Sequence, residues 1–175
     1  GMTNAAGDNK LGSDTTCDAT LCSANEYVSS HVCTSCPLGM TNVDGGHDAS
    51  GSNTTCDATL CSVDERVVSH VCKNCPAGTI RPPGDDASKS DTECEKCAEG
   101  YRVSSNECML CPTGTTRGAG DDKLGANTIC GKCAEDYFVS SEECIACPPG
   151  TTNAKGDDKS GSDTACDPTI CSVNE

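Results

Sequence analysis

The chain has 175 residues, of which 18 are cysteine and only 21 are Leu, Ile, Val or Phe. This apolar content is too low for a conventional hydrophobic core, and so high a cysteine content is typical of extracellular scaffolds held by disulfides. The formal net charge of −15 repels phosphate backbones and excludes nucleic acid as a partner. The sequence also lacks a run of 18 apolar residues, so we expect no direct membrane insertion of this segment.

The cysteines recur in quartets, whose four positions we call a, b, c and d. Ten residues always separate b from c, two separate c from d, and 18 or 19 separate d from the next a, whereas the spacer from a to b holds four residues or two. The opening Gly1-Met2-Thr3-Asn4 matches Gly39-Met40-Thr41-Asn42, so we expect the array to continue in both directions. We therefore divide the chain into a partial repeat holding only a long loop, four repeats and a truncated start of a fifth, at 1–16, 17–55, 56–93, 94–129, 130–165 and 166–175.

Each segment from b to c predicts a very short β-hairpin. Residues 27–32 and 101–106, for example, alternate in polarity around a serine-rich turn. The long segments from d to a carry Gly-Asp-Asp turns and predict irregular loop. The predicted fold class is therefore a set of small disulfide-rich repeats, arranged as an elongated ladder of short β-hairpins and loops, with no helix of note and no conventional core.

The cysteine spacing admits two chemistries. Cys94-x2-Cys97 followed by Cys108-x2-Cys111 has the spacing of a zinc site with four thiolates. Such a site would add negative charge to a chain that is already acidic, and few Lys or Arg residues lie nearby to offset it. We therefore favour disulfides, with an intracellular zinc array as the alternative.

The constant loop lengths favour a sequential pairing, b with c and d with the next a, because the variable spacer then lies outside both closed loops. An interlaced pairing, a with c and b with d, stays open at this point. In the sequential scheme Cys17 and Cys171 have partners beyond the given sequence. Its eight bonds are Cys22 with Cys33, Cys36 with Cys56, Cys61 with Cys72, Cys75 with Cys94, Cys97 with Cys108, Cys111 with Cys130, Cys133 with Cys144, and Cys147 with Cys166.

The acidic loops are candidates for weak calcium binding, since extracellular calcium is held by clustered oxygen ligands. The carboxylates in question are Asp85, Asp86, Asp91, Asp157, Asp158 and Asp163. The alternative is a solvated Asx turn. No other cofactor is expected.

Asn53-Thr54-Thr55 is the single N-glycosylation sequon, which predicts a sugar on Asn53 in a secretory compartment.

No catalytic residue is predicted. His31 and His70 occupy the same position before the c cysteine in their repeats, and the later repeats have no histidine before that cysteine, where Glu107 and Glu143 lie. Cysteines held in disulfides also offer no thiol nucleophile for a histidine to activate. We expect a protein that is not an enzyme.

The motif Cys-x2-Cys-Pro-x-Gly-Thr, as at Cys108–Thr115, with an acidic Gly-rich loop after it, covers essentially the whole chain. It resembles the cysteine-rich repeats of protist surface proteins, the ciliate immobilization antigens in particular. It is also similar to ephrin-receptor-like, tumour-necrosis-factor-receptor-like and furin-like repeats, in the last of which the loops close sequentially. The four-residue spacer from Cys17 to Cys22 departs from the usual receptor repeat. The resemblance implies a location at the extracellular cell surface.

We therefore expect a non-catalytic structural segment of a large extracellular protein that forms a surface coat or the shaft of a filamentous appendage. The alternative is a receptor-like ectodomain that binds a protein ligand along its repeats. The expected partners are neighbouring repeats, identical chains in a filament or coat, and glycans.

Overall fold

The computed structural model of the chain describes residues 2–3 and 17–169. Within these ranges there is no helix, and the strands are all two or four residues long. In chain order they are β1 (Met2–Thr3), β2 (Asp18–Ala19), β3 (Glu26–Ser29), β4 (Val32–Ser35), β5 (Met40–Thr41), β6 (Asp57–Ala58), β7 (Glu65–Val68), β8 (Val71–Asn74), β9 (Thr79–Ile80), β10 (Lys96–Cys97), β11 (Tyr101–Ser104), β12 (Glu107–Leu110), β13 (Thr115–Thr116), β14 (Lys132–Cys133), β15 (Tyr137–Ser140), β16 (Glu143–Ala146), β17 (Thr151–Thr152) and β18 (Asp167–Pro168).

The four-residue strands form one hairpin in each repeat: β3 with β4, β7 with β8, β11 with β12, and β15 with β16. In the last of them Val139 lies opposite Cys144 and Ser140 lies opposite Glu143, so only two residues form the turn. The first turn residue of each hairpin has φ between 48° and 54°, and the second has φ between 62° and 64°. Positive φ at both positions defines a type I′ turn, which matches the twist of the strands on either side.

The two-residue strands connect consecutive repeats through the a to b spacer. With a four-residue spacer, Met40 pairs with Ala58 and Thr41 with Asp57. With a two-residue spacer, Thr115 pairs with the b cysteine Cys133 itself. The spacer lies outside the disulfide loops, as the spacing suggests, but it is not a loose linker, because its residues form the connecting strand.

The buried residues of each repeat are few. Val28, at the centre of β3, is fully buried and packs with Ala49 and the bond between Cys22 and Cys33. Val67 makes the same cluster with Ala87 and the next hairpin disulfide. The predicted fold class of small disulfide-rich repeats with short hairpins, no helix and no conventional core is confirmed for the described residues.

The chain forms two compact units. The first comprises Gly1–Lys73 with Pro83–Thr92, and the second comprises Asn74–Pro82 with Glu93–Glu175. Over the described part of the chain, no helix is long and apolar enough to cross a membrane.

Candidate functional site

Eight disulfides join consecutive cysteines of the repeats. Each bond from b to c joins cysteines 11 positions apart, and each bond from d to a joins cysteines 19 or 20 positions apart. The Cα atoms of bonded pairs are 5.3–5.8 Å apart, which is the usual separation for a disulfide. The bonds are those of the sequential scheme and not of the interlaced one: 22 to 33, 36 to 56, 61 to 72, 75 to 94, 97 to 108, 111 to 130, 133 to 144 and 147 to 166.

The sequential scheme leaves over two cysteines, Cys17 and Cys171. Cys17 is exposed and has no disulfide partner among the described residues. Cys171 lies outside those residues. The partners that the sequence analysis places beyond the given chain therefore stay a prediction.

A polar side chain from the long loop caps the hairpin turn in every repeat. Asp163 Oδ1 accepts a hydrogen bond of 2.9 Å from the backbone amide of Ser141, the first residue of the turn. Asn53 Oδ1 accepts the same bond from Ser30. Asp91 and Asn127 do so for the other two hairpins, at 2.7 and 2.9 Å. Because Asp and Asn alternate at this position, the cap requires only a side-chain oxygen.

The next residue of the loop is always threonine, and it binds the hairpin strand. Thr164 Oγ1 accepts a hydrogen bond of 2.9 Å from the Val139 amide, and the Thr164 amide donates one of 2.9 Å to the Val139 carbonyl. The same pair of bonds joins each of the other threonines to the buried valine of its hairpin: Thr54 to Val28, Thr92 to Val67, and Thr128 to Val103. We call the cap and these two bonds together the loop clamp.

Carboxylates extend the loop clamp in the later repeats. Asp85 Oδ2 and Asp157 Oδ2 each accept a hydrogen bond of 2.6 Å from the clamp threonine. That bond lowers the pKa of Asp157 below its usual range, and a second bond from Asn153 acts in the same direction. Asp121 forms a salt bridge with Arg117, whose guanidinium lowers the pKa of this carboxyl. The first repeat has His47 where the second has Asp85.

The six aspartates proposed for calcium have internal partners. Asp86 Oδ1 and Asp158 Oδ1 accept hydrogen bonds from the amide and hydroxyl groups of Ser88 and Ser160, at 2.6–2.9 Å. These Asx turns lower the pKa of both carboxyls. Asp85 and Asp157 bind the clamp threonines, while Asp91 and Asp163 cap the turns. The three acids of one loop therefore serve three different local contacts.

The described residues contain one group of three candidate metal ligands whose ligand atoms lie within 4.8 Å of one another: Cys61, Glu65 and Cys72. Its two sulfurs form a disulfide, so they are not thiolate ligands. None of the six aspartates proposed as calcium ligands belongs to this group.

A groove of about 850 Å³ lies in the second unit, between loops of the third and fourth repeats. Its charged lining comprises three cations and three carboxylates: Arg117, Lys132, Lys159, Asp121, Glu142 and Asp158. Arg117 is already bound to Asp121 and to the Ile129 carbonyl oxygen. Cys130, which also lines the groove, is held in a disulfide. The lining contains no histidine beside a hydroxyl or thiol that could act as a nucleophile.

Each repeat also depends on two sets of residues that were not predicted from the sequence, the buried valines and the clamp threonines. Their signal is positional rather than chemical. The valine follows every described b cysteine by six positions, and the threonine precedes the a cysteine that closes the loop by two. A residue type fixed at such a position in a repeat with variable neighbours indicates a structural contact.

Comparison of the chain with protein-family models, with curated proteins and with solved structures finds no match. The fold and the contacts of the repeat therefore carry the functional argument. Repeated disulfide-rich hairpins suit an extracellular module with a structural or binding role, and eight disulfides suit an oxidising environment.

Proposed function

We propose that the chain is a non-catalytic structural segment of a large extracellular protein, and that the protein forms a surface coat or the shaft of a filamentous appendage. The observation that carries the proposal is the recurrence of one stabilising unit. Two disulfides, one buried valine and one loop clamp hold each of the four repeats, with little change in geometry from one repeat to the next.

The location of the stabilising contacts supports a role as a spacer. The hairpin disulfide, the cap and the threonine bonds all act within one repeat or its own loop. Stability of this kind is close to a sum over repeats and nearest neighbours, so repeats can be added without a common core. A segment whose work is to set a length needs this property, whereas a catalytic domain needs a single shaped site.

The resemblance to protist surface proteins agrees with this role and extends it to a location. We propose that identical chains or neighbouring repeats are the main partners. The formal net charge of −15 limits close packing of bare chains, so contacts between chains would need glycans or a bridging cation.

The receptor-like alternative rests on the groove of the second unit. The first two repeats have Ala49 and Ala87 where the last two have Lys123 and Lys159, so a cationic lining from this position is not a feature of every repeat. A ligand-binding array is expected to have one such repeat that departs from the rest.

Electron microscopy of the native parent protein tests the proposal. Regular filaments or a continuous surface layer that antibodies to this segment label along their length would support it. Monomeric particles that bind a soluble protein through this segment, with loss of binding in Lys159→Ala but not in Lys89→Ala, would contradict it and favour the receptor. Lys89 is the matched control because it lies in the corresponding loop of the first unit.

A further inference from the structure

Asn53 combines a structural contact with an unused amide group. Its Oδ1 accepts the hydrogen bond from the Ser30 amide that caps the first hairpin turn. The residue is exposed, and among the described residues its Nδ2 has no hydrogen-bond partner. One end of the side chain thus holds the fold while the other faces no acceptor.

The equivalent residues show what the fold needs at this position. Asp91 and Asp163 cap their turns with a carboxylate oxygen, and Asn127 does so with an amide oxygen. The nitrogen of the amide is therefore dispensable to the cap. A substituent on Nδ2 leaves the carbonyl oxygen of the side chain in place as the acceptor.

The two threonines that follow Asn53 divide their roles in the same way. Thr54 is the clamp threonine, and its hydroxyl group accepts a hydrogen bond of 2.9 Å from Val28. Thr55 completes the Asn-x-Thr sequon and is exposed. The sequon and the clamp therefore use different hydroxyl groups, although they overlap in sequence.

We propose that Asn53 carries an N-linked glycan, placed at the hairpin turn of the first repeat, and that the loop clamp is retained beneath it. In this transfer Nδ2 forms a bond to the anomeric carbon of an oligosaccharide donated by a lipid pyrophosphate. The bond from that carbon to the phosphate oxygen breaks, the lipid pyrophosphate leaves, and Nδ2 gives up one proton. The other three equivalent positions carry no sugar. Asn127-Thr128-Ile129 has isoleucine where the sequon requires serine or threonine, and Asp91 and Asp163 lack the side-chain amide.

The inference rests on the extracellular location in the proposed function, and secretion of the full chain from a eukaryotic cell tests both. The intact mass is measured before and after treatment with a peptide N-glycosidase, and the modified residue is located by peptide mapping. The same sample is alkylated to count free thiols. We expect one occupied site, at Asn53, in a chain that has its eight disulfides.

Two variants sharpen the test. Asn53→Asp retains the capping oxygen, as Asp91 and Asp163 do, and should abolish the mass increase without loss of secretion. Ile129→Thr completes a sequon at the equivalent Asn127 and should add a second glycan, since the Ile129 side chain is 73% exposed and Arg117 binds only its backbone oxygen.

The outcomes separate the two proposals. A secreted and fully oxidised chain with a bare Asn53 overturns the glycan and leaves the extracellular function intact, whether or not Asn127 is modified in the variant. Intracellular retention with free thiols overturns both. A glycosylated chain in which the Ser30 amide exchanges as fast as in an unfolded peptide contradicts the retained cap.

Discussion

The hydroxyl group of Thr164 donates a hydrogen bond of 2.6 Å to the carboxylate of Asp157. The same oxygen accepts a hydrogen bond from the amide of Val139, whose side chain is fully buried. A partly buried loop carboxylate is thereby connected through one hydroxyl group to the backbone of a fully buried residue of the repeat. This short chain of bonds replaces the side-chain packing that a larger core would supply.

Thr164→Val should weaken the fourth repeat, because it keeps the shape of the side chain but leaves the Val139 amide without its acceptor. An unsatisfied buried donor costs about 1–3 kcal/mol. The Val139 amide should then exchange its hydrogen about 5- to 150-fold faster, as measured by native-state NMR exchange. Thr164→Ser keeps the hydroxyl and should retain most of the protection. Equal exchange rates in the two variants would show that the hydroxyl bond contributes nothing.

Asp157 should stabilise the fold in a pH-dependent manner. Its pKa is lowered in the folded chain by the bonds from Thr164 and Asn153, while an unfolded aspartate has a pKa of about 3.9. The unfolded state therefore binds more protons between the two values, so this contribution is present above about pH 4 and is lost as the pH falls through the folded pKa. Melting temperatures of wild type and Asp157→Asn should differ at pH 7 and converge in strong acid.

A matched control separates this effect from the general charge of the chain. Asp163→Asn should leave the melting temperature at pH 7 nearly unchanged, because asparagine occupies the same capping position at Asn53 and Asn127. A pH dependence as large as that of wild type in Asp157→Asn would place the effect on other carboxyls.

The hairpin turns use residues that are poorly suited to their backbone conformation. Ser141 and Glu142 have φ of 51° and 64°, a region in which residues other than Gly, Asn and Asp are strained. Replacement of the pair by Asn-Gly, the preferred type I′ sequence, should raise the stability by about 1 kcal/mol. Thermal unfolding under non-reducing conditions measures the gain. Ser140→Gly, within β15, should lower the stability instead, and a gain from it would argue against the turn as the cause.

Gly114 lies against the ring of Tyr137, at φ of +80°. A Cβ atom there would lie 2.6 Å from Tyr137 Cε1, so Gly114→Ala requires both a strained backbone and a displaced ring. The loss should be about 1–3 kcal/mol or more. Gly118 is the matched control, because it has open space around it and no positive φ, and its replacement by alanine should be neutral or slightly stabilising. Equal unfolding curves for the two alanine variants would contradict the predicted contact.

The disulfides should differ in their resistance to reduction. In seven of the eight bonds one cysteine is buried, whereas neither Cys147 nor Cys166 is. Access of the reductant limits thiol exchange, so this bond should open first. Limited reduction, rapid alkylation and peptide mapping would show it. Earlier opening of the bond between Cys133 and Cys144, in which Cys133 is fully buried, would contradict the prediction.

The sequence predicted those features that depend on chain distance. A constant loop length is visible without a structure, and it favoured the bond between Cys61 and Cys72 that the fold contains. Alternation around a serine-rich turn likewise predicted the hairpins. Both are local properties, which a spacing pattern can express.

Contacts between the loop and the hairpin were not predictable in the same way. The Asp163 carboxylate and the Ser141 amide are 22 positions apart, and only the folded loop brings them together. Clustering of the acidic side chains in sequence predicts a shared calcium site, and that site stays a prediction. The structure directs Asp157 toward Thr164 and Asp163 toward the turn, so neighbours in sequence serve separate contacts.

The sequential pairing also determines which backbone cuts would break the array. A peptide bond cleaved inside either covalent loop, for example between Asp121 and Asp122, leaves the two fragments joined by the bond from Cys111 to Cys130. Only cuts between the loops release a fragment, and those segments are the two residues from c to d and the short spacer from a to b. Both kinds of segment lie in or beside paired strands. Lys132, in a spacer from a to b, is part of β14, and Ile145, between c and d, is part of β16. The positions at which a protease could sever the array are therefore those where its backbone is held in a sheet.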